Sequence, residues 1–313
     1  MLAYAARRVL ATIPVMLIVA LFVFSLLYIA PGDPAAIIAG DQATPADVER
    51  IRASLGLDQP FVVRFGEWLW HILHGDLGVS IFTNLPVTTM IGQRIEPTLS
   101  LMVFTLVLSV VVAVPMGVLA AWKHGGWLDR FVMLLAVLGF SVPVFVVGYV
   151  LAYIFALQLG WLPVQGFVPI EDGFWPFLQS LILPSVALGG VYIAVIARIT
   201  RATMMEVLSQ DYVRTAKAKG VGQTSILLIH ALKNAAVPIV TVIGIGIALL
   251  IGGAVVTESV FAIPGLGRLT VDAILRRDYP VIQGVVLLFS FVYVIVNLLI
   301  DLLYTVLDPR IRY

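Results

Sequence analysis

The 313-residue chain contains no cysteine. Disulfides, thiolate metal sites and a cysteine nucleophile are thereby excluded. Charge is also scarce. Asp, Glu, Lys and Arg make up 12% of the residues, against about 25% in soluble domains. The long apolar stretches carry no ionisable residue at their centres; Glu258 and Asp301 stand at stretch ends. Ion-coupled transporters usually hold such groups at mid-membrane as relays, so the absence argues against self-contained ion coupling. The phosphate-cradling sequence Gly-x-x-x-x-Gly-Lys-Ser/Thr does not occur, so the chain is expected not to hydrolyse ATP itself. The pair Gly220 and Gly222 reads as a helix end and turn.

Signals of an enzyme or a metal site are similarly thin. The His-Glu-x-x-His sequence of zinc proteases is absent. His71 and His74 could share a helix face, but no acid is placed to complete a ligand set within that turn, so they read as a wet surface. Gly139-Phe140-Ser141-Val142 faintly resembles the nucleophile region of an intramembrane serine protease. That chemistry needs a base beside the hydroxyl, and His71, His74, His124 and His230 all fall outside the apolar stretches. Ser141 followed by Pro143 reads instead as a helix irregularity. The expectation is a non-enzyme with no cofactor and no metal of its own.

What the chain has in abundance is apolar surface: 61% of its residues are hydrophobic. A water-soluble fold of this size could not hide so much, so lipid must be the solvent for most of it. Six charge-free stretches can each cross a bilayer, which takes about 20 residues. They are 9–32, 97–122, 131–170, 173–197, 234–257 and 279–300, the third too long for one simple helix and read as helix only to Leu159. The apolar run after Arg7 and Arg8 exceeds the roughly 7–15 residues of a signal-peptide core, so it is read as a retained first helix. After Leu159, the Gly160, Pro163, Gly166 and Pro169 punctuation predicts an outer loop.

Six spans put both termini on one side, and charge selects the side. The N-terminus, 123–130, 198–233 and the C-terminus hold twelve basic residues and four acids, whereas 33–96, 160–178 and 258–278 hold seven basic residues and thirteen acids. The first set, termini included, is expected in the cytoplasm. The predicted organisation is a first transmembrane helix over 1–32 and an extracytoplasmic segment over 33–96. A five-helix core over 97–304, with a cytoplasmic loop at 198–233, and a cytoplasmic tail over 305–313 complete it. Within 33–96, Pro45 and the acids after it mark a helix start. Phe61, Phe65, Trp68, Leu69 and Ile72 have near-helical spacing, so two short amphipathic helices are expected.

The basic loop contains Ser209-Gln-Asp-Tyr-Val-Arg-Thr-Ala-Lys-Ala-Lys-Gly220. Ser209 or Asp211 can cap a short helix, Lys217 and Lys219 suit its last turn, and Gly220 can end it. Tyr212, Val213 and Ala216 would form an apolar side. Such a helix suits docking into a partner's groove or lying on anionic lipid.

Arg214-Thr215-Ala216-x-x-x-Gly220 resembles the EAA loop of type I ABC importer permeases. The wider stretch from Asp211 to Gly220, followed by His230-Ala-Leu-Lys-Asn-Ala-Ala-Val-Pro238, is similar to the dipeptide/oligopeptide/nickel branch. The general pattern has Glu first and Leu-Pro soon after the glycine; here Arg214 stands first and the proline comes at Pro238, as that branch has it. Pro31-Gly-Asp-Pro34, Leu55-Gly-Leu-Asp-Gln-Pro60 and Gly75-Asp-Leu-Gly78 resemble the branch's B-type subunit. So do Pro264-Gly-Leu-Gly267, Arg277-Asp-Tyr-Pro280 and Asp308-Pro-Arg-Ile-Arg312.

The resemblance implies an all-α membrane protein with the six-helix type I ABC importer permease fold, in a bacterial inner membrane. It implies a sister C-type permease subunit, two ATPase subunits that bind ATP and Mg, and an extracytoplasmic substrate-binding protein; nucleic acid has no part. It implies an ATPase-coupling helix comprising Asp211, Tyr212, Val213, Arg214, Thr215, Ala216, Lys217 and Gly220, and a binding-protein contact loop at Pro264, Gly265, Leu266, Gly267 and Arg268. The cargo implied is short peptides, with nickel complexes and glutathione as rivals. A membrane anchor or sensor without transport is the reading from another class, and the ordered motifs argue against it. Polar residues within spans are candidates for the path, among them Ser141, Tyr149, Thr241 and Asn297. Gly244, Gly246, Gly252 and Gly253 would allow close helix approach.

Overall fold

The computed structural model describes residues 2–29, 34–39, 43–54 and 56–307. Residues 31–33 of the Pro31–Pro34 motif, Leu55 and the Asp308–Arg312 motif lie outside the described residues.

The described chain is helical, with one isolated antiparallel bridge between Val79 and Pro86. The helices are α1 (Leu2–Ile29), α2 (Pro34–Ala39), α3 (Pro45–Ser54), α4 (Phe61–Leu73), α5 (Val87–Trp122), α6 (Trp127–Ser141) and α7 (Val144–Leu151). They continue with α8 (Phe174–Leu208), α9 (Asp211–Ala218), α10 (Gln223–Ser225), α11 (Leu232–Val260), α12 (Leu266–Arg276) and α13 (Tyr279–Leu307). Wider π-type turns extend α7 over Ala152–Gln158 and lead into α11 over Ile226–Ala231. Helices stand at both places expected within 33–96, as α3 and α4, but only α4 is strongly amphipathic; α2 was not foreseen.

Five of the helices are long and apolar enough to cross a membrane, and a sixth crossing results if α6 and α7 are one bent span. The expected third span is thus not a simple helix. It breaks at Val142-Pro143, and its halves meet at 104°. Proline removes a backbone donor and cannot continue the preceding turn, so the irregularity expected at Ser141 is a full corner. Several helices also outrun their apolar stretches. α5 begins ten residues before Pro97, and α8 continues past Arg198 and Arg201 to Leu208. His230 sits in the π-type turn leading into α11, inside the apolar segment 223–260 rather than outside it.

The described residues form two compact units: 95–268 with 295–307, and 2–94 with 269–294. Helices α5, α12 and α13 contribute residues to both.

In the first unit α8 is the hub. It packs on α6, α7 and α11, and 67% of its most apolar stretch is buried. Small residues permit this crowding. A side chain at Gly139 would meet the Gly190 carbonyl of α8 at 2.9 Å, and one at Gly117 of α5 would meet the Ala197 carbonyl at 2.7 Å. On α11, Gly244 packs on Ile300, Gly246 on Tyr192 and Gly253 on Leu188, whereas Gly252 has no neighbour within 4 Å. Three of the four glycines of the fifth span therefore serve close approach, and Gly252 does not.

This contrast sets up a test. Gly117→Ala is expected to destabilise by about 1–3 kcal/mol through overpacking. Gly252→Ala is expected to be neutral or stabilising by up to about 1 kcal/mol, because alanine restrains the unfolded helix better. Thermal unfolding in detergent measures both; equal midpoints for the two variants would contradict the packing.

In the second unit, α4 packs on the end of α1. Phe24 lies 5.3 Å from Phe61, 5.5 Å from Phe65 and 5.2 Å from Trp68, between ring centroids. The Arg64 guanidinium covers the rings of Phe24 and Tyr28 and donates to the Tyr28 hydroxyl. Further along, Ser80 donates to the buried Asp278 carboxylate at 2.5 Å, and the Ile81 N–H donates to the same group at 3.2 Å. Those bonds pin the turn before α5 to the turn before α13.

Candidate functional site

The basic loop folds as expected around α9, although its cap differs. Gln210 precedes the helix and provides no side-chain cap; Asp211 is its first residue. Ser209 instead donates back to the Glu206 carbonyl at 2.7 Å. Gly220 does end the segment, at φ +78°, a conformation that costs glycine nothing. The Val221 N–H reaches the Ala216 carbonyl at 3.1 Å, closing the turn.

The apolar side of α9 is turned inward only in part, since Tyr212 remains 43% exposed. Val213 is fully buried, Ala216 is half-buried, and the Tyr212 hydroxyl donates to the His230 carbonyl at 3.4 Å. The outward side carries Asp211, Arg214, Thr215 and Lys217, with Arg214 and Asp211 paired at 3.3 Å. The helix is thus seated on its own chain by apolar contacts and presents a polar, charged face.

The C-terminal part of α8, the helix before α9, is fixed by a charge cluster that sequence reasoning missed. Asp129, buried at the start of α6, accepts two bonds from Arg201 of α8, one of them at 2.9 Å. The Gly125 N–H and the His124 ring reach the same carboxylate at 3.0 and 3.2 Å. Opposite charges spaced 72 residues apart give no sequence signal of pairing.

The loop between α11 and α12 forms a second candidate site. Pro264 is exposed and Arg268 half-exposed, whereas Gly265, Leu266 and Gly267 are buried. Ala262 adopts φ +49°, and the Phe261 carbonyl accepts the Gly166 N–H at 2.8 Å. Inside the turn lies the Glu258 carboxylate, with no exposure to solvent. Thr98 of α5 donates to it at 2.6 Å, and the Arg268 N–H donates to it at 2.9 Å.

A cavity of about 300 Å³ opens between α6, α7, α8 and α11. Its walls include Phe140, Val144, Leu188, Tyr192, Gly246 and Gly253. None of the four path candidates lines it. Ser141 bonds to the Val137 carbonyl at 2.9 Å and Thr241 to the Val237 carbonyl at 2.7 Å, each within its own helix. Tyr149 and Asn297 are exposed. The structure does not gather these four into one site. Tyr192, the polar group of the cavity, was not singled out from the sequence, where it is one tyrosine in an apolar run.

No group of three or more His, Asp or Glu among the described residues could hold a metal ion. His71 pairs with Asp76 at 3.3 Å, and the His74 ring bonds to the Trp70 carbonyl at 2.8 Å, so each imidazole has its own partner.

Comparison with known proteins bears on these sites. Residues 113–313 match the family described as "Binding-protein-dependent transport system inner membrane component", and residues 1–102 match its N-terminal counterpart. A probable peptide ABC transporter permease protein, y4tP, of Sinorhizobium fredii is 56% identical over 310 residues, 99% of each chain. A putative peptide transport system permease protein of Brucella abortus is 50% identical over the whole of both chains. The glutathione transport system permease protein GsiC of Salmonella typhimurium is 45% identical, again over the whole of both. Among solved structures, the inward-facing MetNI methionine ABC transporter matches with a TM-score of 0.59 and 17% identity, covering 70% of this chain and 96% of that one. At that identity the likeness speaks for fold alone, the type I ABC importer permease fold.

Proposed function

The chain belongs to the family of binding-protein-dependent transport system inner membrane components, and from that premise we propose that it is the B-type permease subunit of an importer of short peptides. Family membership carries the transport role. The multiple apolar helices agree with a multi-pass protein of the inner membrane. The peptide cargo rests on the relatives at 56% and 50% identity, which are named for peptides.

In this reading the core spans 97–304, both termini face the cytoplasm, and a C-type sister subunit completes the pathway. Two ATPase subunits bind ATP and Mg and receive the polar face of α9: Asp211, Arg214, Thr215 and Lys217. Tyr212, Val213, Ala216 and Gly220 hold that face in place. ATP-driven closure of the ATPases then moves α9 as a rigid lever. Outside, Pro264 and Arg268 are the accessible contacts for the substrate-binding protein, while Gly265, Leu266 and Gly267 give their loop its shape. Ser141, Tyr149, Thr241 and Asn297 remain candidates for the path, reached only as the spans rock.

Glutathione is the second reading, because GsiC is 45% identical over its full length. The binding protein encoded beside this permease decides between them. Purified with its native load and analysed by mass spectrometry, it is expected to carry short peptides. A load of glutathione or a nickel complex would overturn the peptide assignment.

A further inference from the structure

The Glu258 carboxylate is fully buried at the last turn of α11. A buried carboxylate is costly unless its oxygens are hydrogen-bonded. Here the two oxygens take different donors: the Thr98 hydroxyl on Oε1 and the Arg268 N–H on Oε2. The Thr98 hydroxyl in turn accepts the Leu266 N–H at 2.8 Å. Leu266 and Arg268 belong to the first turn of α12, where backbone N–H groups have no partner within the helix. Glu258 and Thr98 therefore cap α12 from two other helices, with the negative charge at the favourable end of its dipole.

The same carboxylate dictates residue size in the loop. A side chain at Gly265 would collide with the Glu258 carboxyl group, and one at Gly267 would meet its Oε2 at 2.9 Å and the Val255 backbone at 2.6 Å. The Ile263 N–H bonds to the Glu258 carbonyl at 2.9 Å. Main chain and side chain of one residue thus hold the middle and the far end of the 259–268 turn.

We infer that Glu258 is the positioning residue of the binding-protein contact loop: its carboxylate, completed by the Thr98 hydroxyl, fixes Pro264 and Arg268 in the geometry that receives the substrate-binding protein. This rests on the contact-loop reading above. It adds a link to transport. Thr98 lies on α5 and Glu258 on α11, so the loop keeps its shape only while those two helices keep their spacing. A docked binding protein and the helix arrangement that supports the cap stabilise each other, because coupling between two sites is reciprocal.

The test uses the complete importer in lipid nanodiscs, with ATPase rate titrated against the binding protein encoded beside the permease. Thr98→Val keeps the shape of threonine but removes both bonds. It is expected to raise the half-saturating binding-protein concentration by about tenfold or more, since hydrogen bonds to a charged group are at stake. Thr98→Ser keeps the hydroxyl and is expected to stay within about twofold of wild type. Glu258→Gln offers one acceptor where the carboxylate offers two, and a rise in half-saturation is expected there as well. The maximal rate at saturating binding protein is expected to persist in each assembled variant. A lower maximal rate with unchanged half-saturation would mean a merely structural role and overturn the inference.

Arg268→Glu separates the two layers of the argument. If it leaves half-saturation unchanged, the contact-loop reading itself fails. If it raises half-saturation while Thr98→Val and Glu258→Gln do not, the loop docks as proposed and Glu258 does not position it. If Glu258→Gln does not assemble, the comparison of Thr98→Val with Thr98→Ser decides.

Discussion

Gly220→Pro is expected to abolish uptake, lowering it by about a hundredfold or more. Proline locks φ near −65° and has no N–H. Gly220 sits at φ +78°, and its N–H donates to the Lys217 carbonyl at 3.0 Å. The substitution therefore forces the wrong hand on the turn and removes one of its bonds, a cost of roughly 3 kcal/mol or more. Gly220→Ala keeps the N–H and suffers only the strain of a left-handed residue, about 1 kcal/mol, so a graded series is expected. Ala216→Glu attacks the same element from its seated side, by placing a charge where α9 rests on its own chain. Uptake of a labelled peptide and co-purification of the ATPase subunits are the measurements. Normal values of both in Gly220→Pro and Ala216→Glu would remove α9 from the coupling role.

Arg201→Ala is expected to destabilise the permease by about 3–5 kcal/mol, because it strands a buried charge. The Asp129 side chain is only 5% exposed, and Arg201 supplies two of its bonds. The polar groups that remain to it, the Gly125 N–H and the exposed His124, cannot replace a guanidinium. The double variant Asp129→Leu with Arg201→Met removes both charges and is expected to recover most of the loss, since an apolar pair of similar volume often matches a buried ion pair. His124→Ala is expected to cost about 1 kcal/mol, the worth of one hydrogen bond. Thermal unfolding in detergent reads all three. An Arg201→Ala midpoint equal to wild type would show that the pair carries no stability. The cluster matters beyond stability because it anchors the C-terminal part of α8, the helix before α9.

The apolar stretches were legible because lipid contact demands uninterrupted hydrophobicity over a bilayer's thickness. The helix ends were not, since a backbone hydrogen-bond ladder does not stop where the lipid stops. Charges at Arg198 and Arg201 ended the apolar stretch but not α8, which runs on to Leu208. Pro143 was visible as an irregularity; its 104° corner was not. The corner is held by packing, with Gly139 against Gly190 and Gly148 against Phe261. For α9, the helix and its terminating glycine could be read from local chemistry, yet which side faced inward could not. That depended on Val213 finding the interior and Tyr212 finding the His230 carbonyl, contacts outside the helix itself.

The amino-acid sequence by itself determined that this is a polytopic helical membrane protein, where its long apolar stretches lie, which loop forms the exposed helix α9, and which family it resembles. Each of those follows from short-range pattern: apolar length, charge distribution, turn residues and ordered motifs. Only the tertiary structure decided what the few charged and polar groups at the span ends do. Asp129 meets Arg201, and Glu258 meets Thr98 across 160 residues of chain. Buried polar groups must be paired wherever the fold brings partners together, and nothing in local sequence specifies those partners. The scarcity of charge that first marked the chain as a membrane protein is the reason the surviving buried charges are so informative.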